Sequence, residues 1–149
     1  MRDPSLIIRQ KYIDLLSGQV LLGVTSVPVV DKPSKGQRFP YIIISQQTSN
    51  GSGNSCKDIF RHDTTIIFDI VTGFKGEYGG KKHCDIIGDN LLKRINWFSE
   101  NALDLSPDFR MISAELDNIL TLPAEVDGDE YIQRKTITIR HEVEELVSN

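Results

Sequence analysis

Between Asp58 and Val71 the side chains change character with a period of two: Ile66, Phe68 and Ile70 fall on one side, and Thr65, Ile67, Asp69 and Val71 on the other. A strand written this way buries one face and leaves the opposite one mixed, so its sheet needs a second layer over the apolar side only. Tyr131 to Val143 repeats the pattern, with Ile137, Ile139, His141 and Val143 against Thr136, Thr138 and Arg140. The cover comes from a helix in which Cys84, Ile87, Leu91, Ile95 and Phe98 are spaced 3, 4, 4 and 3 residues apart. Lys82, Asp85, Asp89, Lys93 and Asn96 fall on its other positions. Gly88 lies on the buried side, where a missing side chain lets a helix approach a sheet closely, and Asp89 with Lys93 makes a favourable i,i+4 pair.

The rest of the chain fits around these elements. Asp3-Pro4 reads as an N-cap followed by proline at the first helical position, and Gly18 as the stop of a helix. Leu6, Ile8, Tyr12, Ile13, Leu15 and Leu16 share a broad side of it at about 100° per residue; Arg9 interrupts that side and Ile7 leaves it. From Gln19 to Pro40 prolines exclude a central strand and allow a short edge strand near Ser26 to Asp31. Tyr41 to Gln47 is a strand, buried on both faces at its start. Ser49 to Ser55 is flexible by composition and forms the tip of a hairpin. Arg110 to Leu122 alternates through Ile112, Ala114 and Leu116 and slips phase at Asp117-Asn118, where a bulge is expected. Pro123 to Glu130, with Asp127-Gly128, makes the turn into the last strand. The expected architecture is one α+β domain over residues 1–149: an antiparallel sheet of about four strands with two main helices packed on one face. Ile67, Val71 and the threonines leave the other face semi-apolar, either a mixed solvated surface or one used in oligomerisation through sheet faces or edges.

Composition narrows the partners. A net charge of -4 gives no cationic footprint for phosphate neutralisation, so nucleic acid is not expected as the primary partner. The longest apolar runs are far shorter than the roughly 20 residues that cross a bilayer, no membrane partner is expected, and Met1 to Pro4 lacks the features of a secretory signal. Cytoplasmic synthesis follows as the expectation. Cys56 and Cys84 are the only cysteines, too few for a disulfide framework, and both are expected reduced.

The residue types that could carry chemistry do not gather into a pattern. His62-Asp63 begins a strand, without the further histidine and aspartate ligands of a metal-dependent phosphohydrolase. His83, Cys84 and Asp85 lack zinc-site spacing, and His141 alternates with apolar neighbours as a packed histidine does. Gly73 to Gly80 precedes a helix but carries neither a phosphate-loop nor a dinucleotide fingerprint, and no serine stands in a nucleophile elbow. Cys56 beside Lys57 has no histidine neighbour to make it a nucleophile. No catalytic, cofactor-binding or metal residue is assigned, and the chain is expected not to be an enzyme.

Two stretches carry a likeness to a known family. Val29-Val30-Asp31-Lys32-Pro33 followed by Phe39-Pro40-Tyr41-Ile42-Ile43-Ile44 resembles the front of the tail terminator, or tail completion, proteins of long-tailed bacteriophages, where a proline-flanked strand leads into a Pro-Tyr strand. His62 to Val71, a glycine-containing break and Cys84 to Leu92 are similar to that family's strand, loop and helix. The resemblance covers Leu6 to Val143. It implies a phage or prophage virion protein without a cofactor, made in the bacterial host cytoplasm. Such proteins form homo-oligomeric rings, commonly of about six subunits, that cap the tail tube, stop its polymerisation and join tail to head. The partners implied are further copies of the chain, the tail tube protein and a head-tail connector protein. A head-completion or neck protein is the alternative, and a small cytoplasmic binding module a more distant one. Expected interface residues are the hairpin residues Ser49, Asn50, Gly51, Ser52 and Gly53 and the aromatic residues Phe74, Tyr78 and Trp97. The glycine- and serine-rich hairpin and the Trp97-Phe98 pair depart from the family pattern.

Overall fold

The computed structural model describes residues 2–53, 55–56, 58–75, 80–95 and 103–146. In chain order these form α1 (Ser5–Leu16), the short strands β1 (Leu21–Leu22), β2 (Thr25–Ser26) and β3 (Val29–Val30), and the long strands β4 (Tyr41–Gly51) and β5 (Phe60–Lys75). Then come α2 (Gly80–Arg94), β6 (Phe109–Thr121), β7 (Glu125–Asp127) and β8 (Glu130–Glu145). β1 and β2 make a small separate hairpin. The main sheet has 6 strands in the order β3-β4-β5-β8-β6, with β7 paired to the first residues of β8.

The α+β class and the packing of both helices on one face agree with the sequence reading, but the sheet is wider than the expected four strands. The additional strands are β3, which falls within the short edge strand expected near Ser26 to Asp31, and β7, a segment of 3 residues between a proline and a turn that is too short for a period to register. Nor is the sheet wholly antiparallel, because β3 runs parallel to β4 through the pairs Val29 with Ile42 and Val30 with Ile43. All other pairings in it are antiparallel.

The core lies between the sheet and the helices. Ile66, Phe68 and Ile70 of β5, Ile137, Ile139 and Val143 of β8, and Ile42 and Ile44 of β4 face Ile8, Tyr12 and Leu16 of α1 and Cys84, Ile87 and Leu91 of α2. Removing these side chains from water stabilises the fold by roughly 1.5–3 kcal/mol for each large aliphatic or aromatic group. α2 follows its 3.6-residue period: Cys84, Ile87, Gly88 and Leu91 are buried, and Asp89 pairs with Lys93 at 2.8 Å. The face of α1 is turned slightly from the one expected, with Leu6 exposed and Ile7 packed against the core. Its start is also one residue late. Pro4 occupies the cap position, and Asp3 instead accepts the Ser5 N–H at 2.9 Å and its hydroxyl at 2.6 Å. These two hydrogen bonds hold the Asp3 carboxyl below its ordinary pKa. Gly18, at φ +71, turns the chain after α1.

Candidate assembly interface

β6 is the outermost strand on its side. It pairs with β8 along one edge, and among the described residues no strand meets the other edge. Two irregularities, between Met111 and Ser113 and between Leu116 and Asn118, interrupt the ladder. The second is the bulge expected at Asp117. The first makes Ile112 the extra residue and is not legible as a break in alternation. Along this strand Ile112 is 38%, Leu116 39%, Ile119 42% and Leu120 47% exposed. The apolar surface continues over Val126 and Tyr131.

Helix and strand dimensions explain the exposure. Packed helices sit about 8–10 Å apart and strands about 4.8 Å apart, so one helix covers about two strands. α2 packs on β5 and β8, and α1 on β4 and β3. Among the described residues neither helix packs on β6 in the same way, although Phe109 at its start is buried in the core. Leu116 and Ile119 stand opposite Ile139 and Ile137, on the core side of the sheet, yet beyond the helix layer. A long open edge with apolar side chains is what a solitary soluble domain avoids and what an assembling one buries.

The opposite edge is open in a different way. β3 occupies β4 only at Ile42 and Ile43, so among the described residues no strand flanks Ser45 to Gly51. A cleft of about 500 Å³ runs beside this edge, lined by Ile44, Ser45, Gln46 and Gln47 together with Ser5, Arg9 and Asp31. Arg9 Nη1 donates to Gln47 Oε1 at 2.7 Å, Gln47 Nε2 donates to the Ser5 carbonyl at 2.9 Å, and Arg9 meets Asp31 at 3.5 Å. The first turns of α1 are thereby tied to the strand they overhang.

The sheet face away from the helices is less apolar than its isoleucine, valine and threonines imply. Val71 is fully buried beside Tyr41, on which Phe39 stacks at 5.6 Å, and Phe39 fills the space a side chain at Gly73 would need. The remainder is a ladder of ion pairs: Arg134 with Asp69 at 3.5 Å, Arg140 with Asp63 at 3.5 Å, Arg61 with Glu142 at 3.6 Å and with Glu144 at 3.5 Å, and Arg110 with Glu144 at 3.1 Å. Burial raises the Asp69 carboxyl above its ordinary pKa against the pull of Arg134. This face is mainly charged, with the Thr48–Thr65 hydrogen bond and Ile67 among its ion pairs, so the open edges are the more apolar candidate contact surfaces.

Titratable groups inside the domain are held by packing. His141 is buried, with Tyr12 Oη 2.6 Å from Nε2 and Thr64 Oγ1 3.3 Å from Nδ1. Burial pushes the His141 pKa down to about 4 and raises that of Tyr12, so the ring is neutral and the phenol keeps its proton. Cys84 is buried against Thr72, at 3.4 Å, and its thiol pKa is raised by that burial. His62 sits edge-on to Phe109 and 3.5 Å from Glu145, and Cys56 is exposed. Among the described residues no three histidine, cysteine or acidic side chains come together as a metal set.

The structure separates the residues expected at an interface. Ser49, Asn50 and Gly51 do not belong to a loop: they extend β4 and pair with Thr64, Asp63 and His62. Ser52 is buried and its N–H donates to the Arg61 carbonyl at 2.8 Å, while Gly53 is exposed. Phe74 stacks on Tyr131 at 5.3 Å near the other end of β5. Tyr78 and Trp97 lie outside the described residues, as does Phe98. The alternation of the β6 residues is the same as that of core residues; only the ratio of helices to strands shows that one strand must lack cover.

No protein-family model matches the chain, and no curated protein does. Among solved structures, a chain of the virion of a native gene transfer agent particle shares the fold with a TM-score of 0.54 at 16% identity. The match covers 95% of this chain and 91% of that one, so the likeness extends over nearly the whole domain.

Proposed function

We propose that the chain is a non-enzymatic virion assembly protein that closes into a ring on the end of a tail tube, stops the tube's polymerisation and offers the surface on which tail and head join. The observation that carries this reading is the open apolar edge of β6, where Ile112, Leu116, Ile119 and Leu120 stand half-exposed along 13 residues of strand. Such an edge favours association, and the placement of the two open edges on opposite sides of one sheet favours a cyclic product over a simple pair. The fold shared with a gene transfer agent virion chain supports a place in a particle. The likeness of Val29 to Ile44 and of His62 to Leu92 to tail terminators supports the tube end as that place. Its partners are then other copies of itself, the tube protein and a connector protein.

Negative-stain electron microscopy of the purified chain is the test. Closed rings of uniform diameter, commonly with about six subunits, are expected. In a mixture with polymerising tube subunits they should sit on tube ends and shorten the tubes as their concentration rises. Particles without rings, or tubes whose lengths ignore the added protein, would count against the reading.

A further inference from the structure

We infer that β6 of one copy adds as an antiparallel strand to the free Ser45-to-Gly51 edge of β4 of the next copy, and that this pairing builds the ring. The inference rests on the ring reading above and supplies its contact surface.

Strand direction makes the pairing possible. β4 is antiparallel to β5, β5 to β8 and β8 to β6, so β6 runs opposite to β4. A second copy set beside the first in the same sense therefore brings antiparallel edges together, and the contact is head-to-tail. The cleft beside Ile44 to Gln47, about 500 Å³ in volume, lies where an added strand would run. The helix layer is complementary as well. The neighbour's α1, with Leu6 56% exposed, comes to the side on which Leu116 and Ile119 lack cover.

Charge selects the same arrangement. Tyr41, Val71 and Arg134 share one row of the sheet, and the Leu122 N–H donates to the Arg134 carbonyl. The segment before β4 and the turn after β6 therefore lie at the same end of the sheet, on opposite edges. The first carries exposed Lys32, Lys35 and Arg38; the second carries Glu125, Asp127, Asp129 and Glu130. Head-to-tail packing sets the basic segment of one copy against the acidic turn of its neighbour, whereas an antiparallel two-fold β6-to-β6 contact would set that turn beside the start of the neighbour's β6, away from the basic segment, and leave the β4 edge open.

Disulfide trapping distinguishes these contacts. In a Cys56→Ser background, Gln46→Cys, Thr48→Cys and Asn50→Cys on β4 are each combined with Ser113→Cys, Glu115→Cys or Asn118→Cys on β6, which spans the possible registers. Under mild oxidation at least one double variant should give a covalent ladder ending at the ring size, with no crosslinking in either corresponding single variant. The ladder should weaken in high salt and in Lys32→Glu/Lys35→Glu/Arg38→Glu. Crosslinking of a β6 single variant alone would replace this pairing with a two-fold contact. Oligomers by light scattering without any β4-to-β6 crosslink would overturn the pairing and leave the ring reading standing, while a monomer at every concentration would remove both.

Discussion

His141 shows how one buried side chain ties stability to pH. Its ring lies between Tyr12 and Thr64, and burial holds its pKa at about 4 against an ordinary 6.5. Between those values the unfolded chain takes up a proton that the folded chain refuses, so stability is complete above about pH 6.5 and is lost as pH falls towards 4. The loss approaches about 3 kcal/mol, from 1.36 kcal/mol per pKa unit. Urea unfolding at pH 7 and pH 4.5 should show it, and in His141→Asn this part of the pH dependence should vanish although the variant is less stable throughout. Two glycines give a second residue-scale contrast. A methyl at Gly88 would meet Ile137 at 3.4 Å and Ile70 at 3.5 Å, ordinary contact distances, so Gly88→Ala should stabilise by about 0.5–1 kcal/mol through helix propensity. Gly88→Leu should destabilise by lifting α2 off the sheet. At Gly73 even a methyl overlaps the Phe39 ring, and Gly73→Ala should cost about 1–3 kcal/mol in thermal or urea unfolding.

At the scale of elements, β6 is the part that sequence periodicity and structure describe differently. Ile137, Ile139, His141 and Val143 could be placed on the core face because a period of two fixes direction, and Cys84, Ile87 and Leu91 because a period of 3.6 does. Leu116 and Ile119 carry the same direction signal. Whether a helix lies above them depends on sheet width and strand order, which no local pattern contains. The tip of the β4–β5 hairpin failed for the opposite reason: Ser49, Asn50 and Gly51 read as loop by composition, yet pairing with β5 holds them extended. The two open sheet edges were not legible residue by residue, because which strands lie at the edges follows from strand order. If β6 is the contact, Leu116→Lys/Ile119→Lys should raise the dissociation constant by about tenfold or more. The circular dichroism spectrum and unfolding midpoint should stay close to the parent's, because both side chains are already about 40% exposed. Loss of the fold in that variant would instead mark β6 as core.

For the whole molecule, two helices over a wider sheet leave complementary edges, one apolar and one beside a polar cleft, with opposite charge at the same end. A single copy therefore has an unfinished surface at each side, and a closed ring finishes all of them at once without free ends. The interior His141 and Cys84, by contrast, are held by packing against Tyr12, Thr64 and Thr72. The most direct measurement is the solution mass by light scattering across a dilution series at low and high salt. One discrete oligomer mass, expected at about six copies, should persist on dilution at low salt and dissociate more readily at high salt. A strict monomer at every concentration and both salt levels would contradict the account.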